Sequence, residues 1–162
     1  MQPGLYRTWG ERLKCYKWFL KPIPRHGTFY YPFGFAEVYV SNQIVVTWER
    51  TILRTKEMLI GQIRTFDGTC CISGYSPIRG QFQLSHSLLT EPDLDLNWKR
   101  DCGRGLHAYV SMFDMLEARL PLDYFTKEGN VDTEKLRWEK THKQLLDERD
   151  ADYDVMRKLL QF

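Results

Sequence analysis

The stretch that decides how this chain is organised is residues 101–111, which read DCGRGLHAYVS. The glycines at 103 and 105 allow backbone conformations that other residues avoid, and the run after them indicates a short buried strand. Ser111 then stands where a helix N-cap is expected, ahead of a helix predicted over residues 112–120. Because one short stretch combines a turn, a strand and a cap with polar side chains, we predict that a functional site lies here.

Three interpretations of this stretch stay open. In the structural one, Leu106 and Ala108 fill the core while His107 is a half-buried ring with one satisfied nitrogen. In the second, backbone N–H groups of the glycine turn face an anion such as a nucleotide phosphate, although the strict glycine fingerprints for dinucleotides and phosphate loops are absent. The third is a zinc site built from Cys70, Cys71, Cys102 and His107. Adjacent cysteines do not easily ligate one ion together and no CxxC pair is present, so we predict no metal.

The first 24 residues alternate aromatic rings with basic side chains. Single-stranded nucleic acids bind such surfaces, because bases stack on rings while phosphates meet Lys and Arg. The candidate nucleic-acid-binding residues are Arg12, Lys14, Lys17 and Trp18. A half-buried edge strand beside solvated lysines produces the same pattern, so both interpretations stay open.

The middle of the chain is predicted to be mostly β-structure. Residues 36–40 and 44–48 are β-branched or aromatic runs with a short polar connector, which predicts a β-hairpin. Asp67-Gly68 predicts a second hairpin, and we expect a further strand from about Met58 onward.

The C-terminal region has helical periodicity. A long helix is predicted to begin near Asp132 or Thr133 and to run almost to the end of the chain, with Leu145 and Met156 on its apolar side. A helix of this kind packs either on its own domain or on a partner.

The fold class that follows is α+β. We predict a mostly antiparallel sheet from residues 14–110, covered by the helix near 111–120, with the long C-terminal amphipathic helix against it or projecting from it. The domain prediction is a core over residues 1–128 and a helical segment over 129–162, packed on the core or on a partner.

Charge and cysteine content limit the class of protein. Up to Phe66 the chain has ten Lys/Arg and four Asp/Glu, and after it thirteen Lys/Arg and seventeen Asp/Glu. This asymmetry permits an anionic partner on the N-terminal side, or two halves that attract each other. There is no apolar run of the ~18 residues that a membrane span needs, nor the apolar core of a signal peptide. We therefore expect a cytoplasmic, reducing setting with four free thiols and no membrane association.

Residues 102–109, with the helix after them, resemble a motif in small bacterial and phage proteins of unknown function. Those proteins also tend to open with a Tyr-Lys/Arg-aromatic strand, as residues 16–18 do here. The resemblance implies a phage or mobile-element context and no defined activity.

A second, looser resemblance is to ADP-ribosyltransferases, in which a His-Gly-Thr strand and a later Gly-Ile-Tyr strand hold NAD. His26 and Thr28 match the first element, and Gly105 and His107 match the second, with His in place of Tyr. Glu128 or Glu134 would supply the final acid of that family. The resemblance implies catalytic roles for His26, His107 and Glu128, and contacts to NAD from Thr28, Gly103 and Gly105.

The sequence thus predicts a small non-catalytic binding protein of phage or mobile-element type with no cofactor. Its contact surface would be the C-terminal helix or the basic-aromatic N-terminal segment. A protein partner or self-association is expected, and nucleic acid is an open alternative. The other candidate is an NAD-dependent enzyme of the ADP-ribosyltransferase kind.

Overall fold

The computed structural model describes residues 2–23, 29–76, 81–132, 134–135 and 140–161. Within these residues, thirteen strands form one sheet, accompanied by two α-helices and a short 3₁₀-helix over Leu122–Tyr124. The strands are β1 (Gly4–Thr8), β2 (Leu13–Ile23), β3 (Phe29–Val40), β4 (Gln43–Val46), β5 (Ile52–Thr55), β6 (Glu57–Ile60), β7 (Ile63–Thr65), β8 (Cys70–Cys71), β9 (Ser73–Ser76), β10 (Gln81–Leu84), β11 (Leu88–Thr90), β12 (Leu106–Tyr109) and β13 (Leu160–Gln161). The helices are α1 (Met112–Arg119) and α2 (His142–Leu159).

The long antiparallel pair β2–β3 is the spine of the sheet. On its edge away from β2, β3 pairs with β7 at residues 34–35 and with β6 at residues 38–40. On its edge away from β3, β2 pairs with β12 at Tyr16 and with β9 at Leu20. The main path of neighbours is β11-β6-β3-β2-β12-β5-β4-β1-β13, and every pairing along it is antiparallel. The broad prediction of an α+β chain with a mainly antiparallel sheet and a C-terminal helix is confirmed.

Both faces of β2 are covered, because its side chains alternate between two apolar clusters. Leu13, Cys15 and Phe19 belong to the larger cluster, which the strands build together with the end of α2. Tyr16, on the opposite face, belongs to the second cluster, which contains the buried side of α1.

Helix α1 forms where the sequence predicts it. The Ser111 hydroxyl accepts a hydrogen bond from the Asp114 N–H at 3.2 Å, which satisfies one of the free donors of the first turn. Met115 and Leu116 are buried against β2 and β12, and the helix ends at Arg119, two residues before Pro121.

Helix α2 begins ten residues later than predicted, so the expected start near Asp132 is wrong. The chain is held extended there, because Val131 pairs with Phe125 and the Asp132 N–H donates to the Tyr124 carbonyl. The helix starts instead at a capping box in which Thr141 and Gln144 bond each other's backbone N–H groups. Thr133 lies outside the described residues.

The C-terminal helix packs on the rest of the chain. Leu145 is buried in the cluster with α1, and Met156 and Leu160 are buried in the larger cluster. Strand β13 then pairs with β1. Residues of the predicted C-terminal segment therefore share the core of residues 1–128. No helix in the described ranges combines the length and apolarity that a bilayer span requires.

The two hairpin predictions have opposite outcomes. Asp67-Gly68 does join the antiparallel strands β7 and β8, and Gly68 has φ +97°, which confirms that hairpin. The hairpin over residues 36–40 and 44–48 is wrong, because β4 pairs with β1 and β5 and not with β3. Both edges of β3 are already occupied by β2 and β6, and the chain leaves β3 through Asn42 at φ +68°.

Candidate functional site

A gap in the sheet lies along the outer edge of β2. Strand β12 pairs with β2 only at Tyr109↔Tyr16, and β9 pairs with it only at Leu20↔Tyr75. The segment of β2 between these two positions has no strand beside it on that edge among the described residues. A cavity of about 490 Å³ opens at this gap.

The cavity collects side chains from six parts of the chain: β2, the β4–β5 connection, β5, β9, the 101–109 stretch and the end of α1. Its lining residues are Lys17, Trp18, Glu49, Ile52, Ser76, Asp101, Cys102, His107, Ala108, Tyr109 and Arg119. The lining combines apolar and aromatic side chains with two cations and two carboxylates. A cavity of this size with few convergent polar groups is the usual form of a small-molecule site.

The floor of the cavity carries a buried lysine. Lys17 is only 4% exposed, and its Nζ donates to the His107 carbonyl oxygen at 3.2 Å. No described carboxylate forms an ion pair with it. Burial lowers the pKa of the Lys17 amine to about 8, because a charged ammonium loses its hydration there. The cavity thus contains an amine that lacks a counter-charge in the described structure.

His107 is oriented by the glycine turn before it. Its Nε2 lies 2.8 Å from the Gly103 carbonyl oxygen, and since a carbonyl only accepts, Nε2 carries the proton. Burial lowers the pKa of the imidazole, and the nearby Lys17 and Arg54 cations lower it further, against the effect of the Gly103 bond. Burial and the two cations thus favour the neutral form of the His107 ring beside the cavity.

A second cation is fixed near the mouth of the cavity. The Arg119 guanidinium lies over the Trp18 ring, with Cζ 4.3 Å from the ring centroid, and Nε donates to the Tyr109 hydroxyl at 3.0 Å. The first contact is a cation–π interaction, and the second fixes the in-plane direction of the guanidinium. The remaining Arg119 N–H groups form no hydrogen bond to a described residue, so they can meet a ligand.

Arg54 packs against the 101–105 segment of the cavity wall and binds the loop before it. This arginine is completely buried and donates to three backbone carbonyls, those of Asp95 at 2.8 Å, Arg100 at 2.8 Å and Asn97 at 2.5 Å. Its fork of donors closes the loop that leads into the 101–111 stretch. Because these carbonyls accept its hydrogen bonds, Arg54 holds the loop in position.

The two glycines of the stretch are required by space and by backbone conformation. A Cβ at Gly103 would come within 2.8 Å of Arg54 Cζ and of Asp95. Gly105 has φ +142°, and a Cβ there would lie 3.0 Å from Leu94 Cδ1. The glycines thus allow the loop to pack on Arg54, which places His107 and Cys102 at the cavity.

Exposed groups complete the rim. The carboxylates of Glu49 and Asp101 and the thiol of Cys102 all reach solvent. Because exposed charges are screened by water and salt, the two acids oppose an anionic ligand less than the buried Lys17 attracts one.

The residues implied by the ADP-ribosyltransferase resemblance are only partly described. His26 and Thr28 lie outside the described residues. Glu128 is exposed in the turn before Gly129 and does not line the cavity. His107 lines it, and Gly103 orients the His107 ring. The NAD assignment stays a prediction.

The four nucleic-acid candidates do not share one surface. Arg12 and Lys14 are exposed, whereas Lys17 is buried at the cavity floor and Trp18 is half-buried under Arg119. Phosphate contacts from this set are therefore limited to Arg12 and Lys14, for which nucleic-acid binding stays a prediction.

All four cysteines are free thiols. No group of three or more His, Cys, Asp or Glu side chains in the described ranges is arranged to hold a metal ion.

Sequence reasoning missed several of the cavity residues. Arg119 was absent from the candidates, because a basic residue in the last turn of a helix is ordinarily explained by the helix dipole. Glu49 lies in the β4–β5 connection and Ile52 begins β5, and neither belongs to a sequence motif. Lys17 was named for a surface role, and its position between Cys15 and Phe19, which are both fully buried, was the available signal that it faces inward.

Comparison of the chain with family models, with curated proteins and with solved structures finds no match. The site must therefore be interpreted from its own chemistry.

Proposed function

We propose that this chain is a small-molecule-binding protein whose ligand is a planar organic anion held in the cavity beside β2. The observation that carries the proposal is the buried Lys17 amine on the cavity floor, which forms no ion pair within the described structure. A buried cation is costly unless something compensates its charge. An anionic group of a ligand would supply that compensation.

The rest of the lining favours a flat ligand. Trp18, Ile52 and Tyr109 supply apolar and aromatic surface between the floor and the mouth, and aromatic rings pack well on such surfaces. Arg119 holds a second cation over Trp18 with donors left for an acidic group. Lys17 and Arg119 would thus bind the two polar ends of a ligand that has a ring between them.

The other two contact surfaces predicted from sequence have less support. Helix α2 buries Leu145 and Met156 against its own domain, which uses its apolar side internally. The basic-aromatic segment has Lys17 turned inward. Binding of a protein partner, a second copy or a nucleic acid therefore stays a prediction, while the cavity supports binding of a small molecule.

The proposal is tested by thermal melting with a panel of probes: pyridoxine 5′-phosphate, AMP, salicylate, NAD and a single-stranded oligonucleotide. A ligand at ten times its Kd stabilises by about 1.4 kcal/mol, which raises the Tm of a chain of this size by about 3 °C or more. We expect at least one planar anion to produce this rise in the wild type. The rise should be lost in Lys17→Met and in Arg119→Gln and kept in Lys143→Met, which removes an exposed lysine on α2.

Two outcomes would overturn the proposal. One is that none of the planar anions changes the Tm; the other is that the Tm rise is the same in Lys17→Met as in the wild type. Consumption of NAD would instead support the enzyme suggested by the ADP-ribosyltransferase resemblance.

A further inference from the structure

The Lys17 amine is placed as a nucleophile as well as a charge. It is a buried residue that lines a largely apolar cavity, and its one described hydrogen bond is donated to a backbone carbonyl, so the nitrogen lone pair is not engaged by that bond. A lysine becomes nucleophilic when it is desolvated and lacks a carboxylate that would keep it protonated. Both conditions hold at Lys17 among the described residues.

We propose that Lys17 forms an imine with a carbonyl-bearing ligand, an aromatic aldehyde that also carries an acidic group. This inference rests on the proposed function, since it names the group of the planar anion that reaches the floor. The aldehyde carbon would lie at Lys17 Nζ and the acidic group at Arg119, the only other cation that lines the cavity in the described structure.

Imine formation between the Lys17 amine and the aldehyde needs no further reactant. The neutral amine attacks the carbonyl carbon, a C–N bond forms, and the carbonyl π electrons move to the oxygen. Transfer of a proton from nitrogen to that oxygen gives a carbinolamine, and loss of one water gives the C=N bond. The lowered pKa of Lys17, about 8, supplies the neutral amine at a pH where an ordinary lysine remains protonated.

Apolar surroundings favour the product. Release of water from a site whose lining includes Trp18, Ile52 and Ala108 favours the imine, because these apolar side chains offer the released water few hydrogen bonds. A protonated imine keeps the positive charge at the floor, so electrostatic attraction for an anionic ligand is retained.

The experiment uses the full chain and pyridoxal 5′-phosphate as the probe, which combines a flat ring, an aldehyde and a phosphate. The imine is reduced with sodium cyanoborohydride to a stable secondary amine, and the modified lysine is located by peptide mapping. Because each pKa unit changes the neutral fraction tenfold, we expect Lys17 to be modified at least about tenfold faster than the exposed Lys14 on the same strand at pH 7. The rate should rise with pH and level off above about 8.

Pyridoxine 5′-phosphate separates this inference from the proposed function, because it keeps the ring and the phosphate but has an alcohol in place of the aldehyde. If it raises the Tm while the aldehyde labels Lys17 no faster than Lys14, the imine is excluded and the binding site stands. If none of the planar anions raises the Tm and Lys17 is also unmodified, both proposals fail. Peptide mapping on the wild-type chain does not depend on how well a Lys17 variant folds. In a folded Lys17→Arg variant, we expect the rapid modification at position 17 to be absent.

Discussion

At the scale of single residues, the most unusual feature of the site is a lysine on the inward face of a strand. Cys15 and Phe19 flank Lys17 on the same face of β2 and are completely buried, so the strand carries a cation into an otherwise apolar environment. Such a group destabilises the fold in its charged form and is retained where a site needs it. The destabilisation of the folded state by the charged Lys17 should be measurable as a pH dependence of the free energy of unfolding.

Replacing Lys17 with Met should stabilise the unliganded protein at neutral pH. The pKa of Lys17 is lowered from 10.5 to about 8 in the folded state, so between these values the unfolded chain binds the proton and the folded chain does not. The contribution of Lys17 to the free energy of unfolding therefore rises with pH between about 8 and 10.5. Below pH 8 the buried charge destabilises the folded state to its full extent. We expect Lys17→Met to raise the free energy of unfolding by about 3 kcal/mol at pH 7 and by much less at pH 10.

The measurement is urea unfolding of the wild type, Lys17→Met and Lys143→Met at both pH values. The control removes an exposed lysine of α2 and should change stability little. A Lys17→Met effect of equal size at pH 7 and pH 10 would show that the lysine is not held in a charge-disfavouring site.

At the scale of elements, helix α2 contains a second disfavoured charge. Burial raises the pKa of Asp152 to about 6, the nearby Glu148 and Glu37 carboxylates raise it as well, and Lys14 and Lys140 act in the opposite direction. The helix is otherwise well supported, since Thr141 and Gln144 cap its first turn and Met156 packs in the core. Asp152 is thus a place where the packing of α2 responds to pH.

Replacing Asp152 with Asn should stabilise the protein at pH 7 more than at pH 4.5. Between 3.8 and about 6 the folded state holds a proton that the unfolded state has lost, so stability falls as pH rises through this window. The amide removes this dependence because it does not titrate. Urea unfolding at the two pH values checks the difference, with Asp147→Asn, an exposed position on the same helix, as the matched control. An Asp152→Asn gain in the free energy of unfolding that is equal at pH 7 and pH 4.5 would contradict a raised pKa at Asp152.

At the scale of the whole molecule, local signals were predictable and long-range pairings were not. The Ser111 cap and the Asp67-Gly68 hairpin follow from contacts within a few residues, and both appear as predicted. The connector after Val40 looks like a hairpin turn, but which strands become neighbours depends on the whole sheet, and β3 pairs elsewhere.

The same difference between local and long-range features decides which parts of the site could be predicted from the sequence. The glycine turn and His107 were identifiable because their conformational requirements are local. The cavity exists only because β12 and β9 leave part of β2 unpaired on one edge, which is a property of the complete sheet. Arg54 and Arg119 act across more than 40 and about 100 positions of sequence respectively, and no spacing in the sequence indicates such contacts.

The most direct test of the central claim, that the gap beside β2 is a ligand site, is the protection of one thiol. Cys102 and Cys70 are both exposed, but only Cys102 lines the cavity. Alkylation of both thiols by iodoacetamide is followed by mass spectrometry with and without saturating pyridoxine 5′-phosphate, or whichever planar anion raises the Tm most. We expect the ligand to slow modification of Cys102 several-fold and to leave Cys70 unchanged; equal rates at Cys102 with and without bound ligand would show that the gap is not the ligand site.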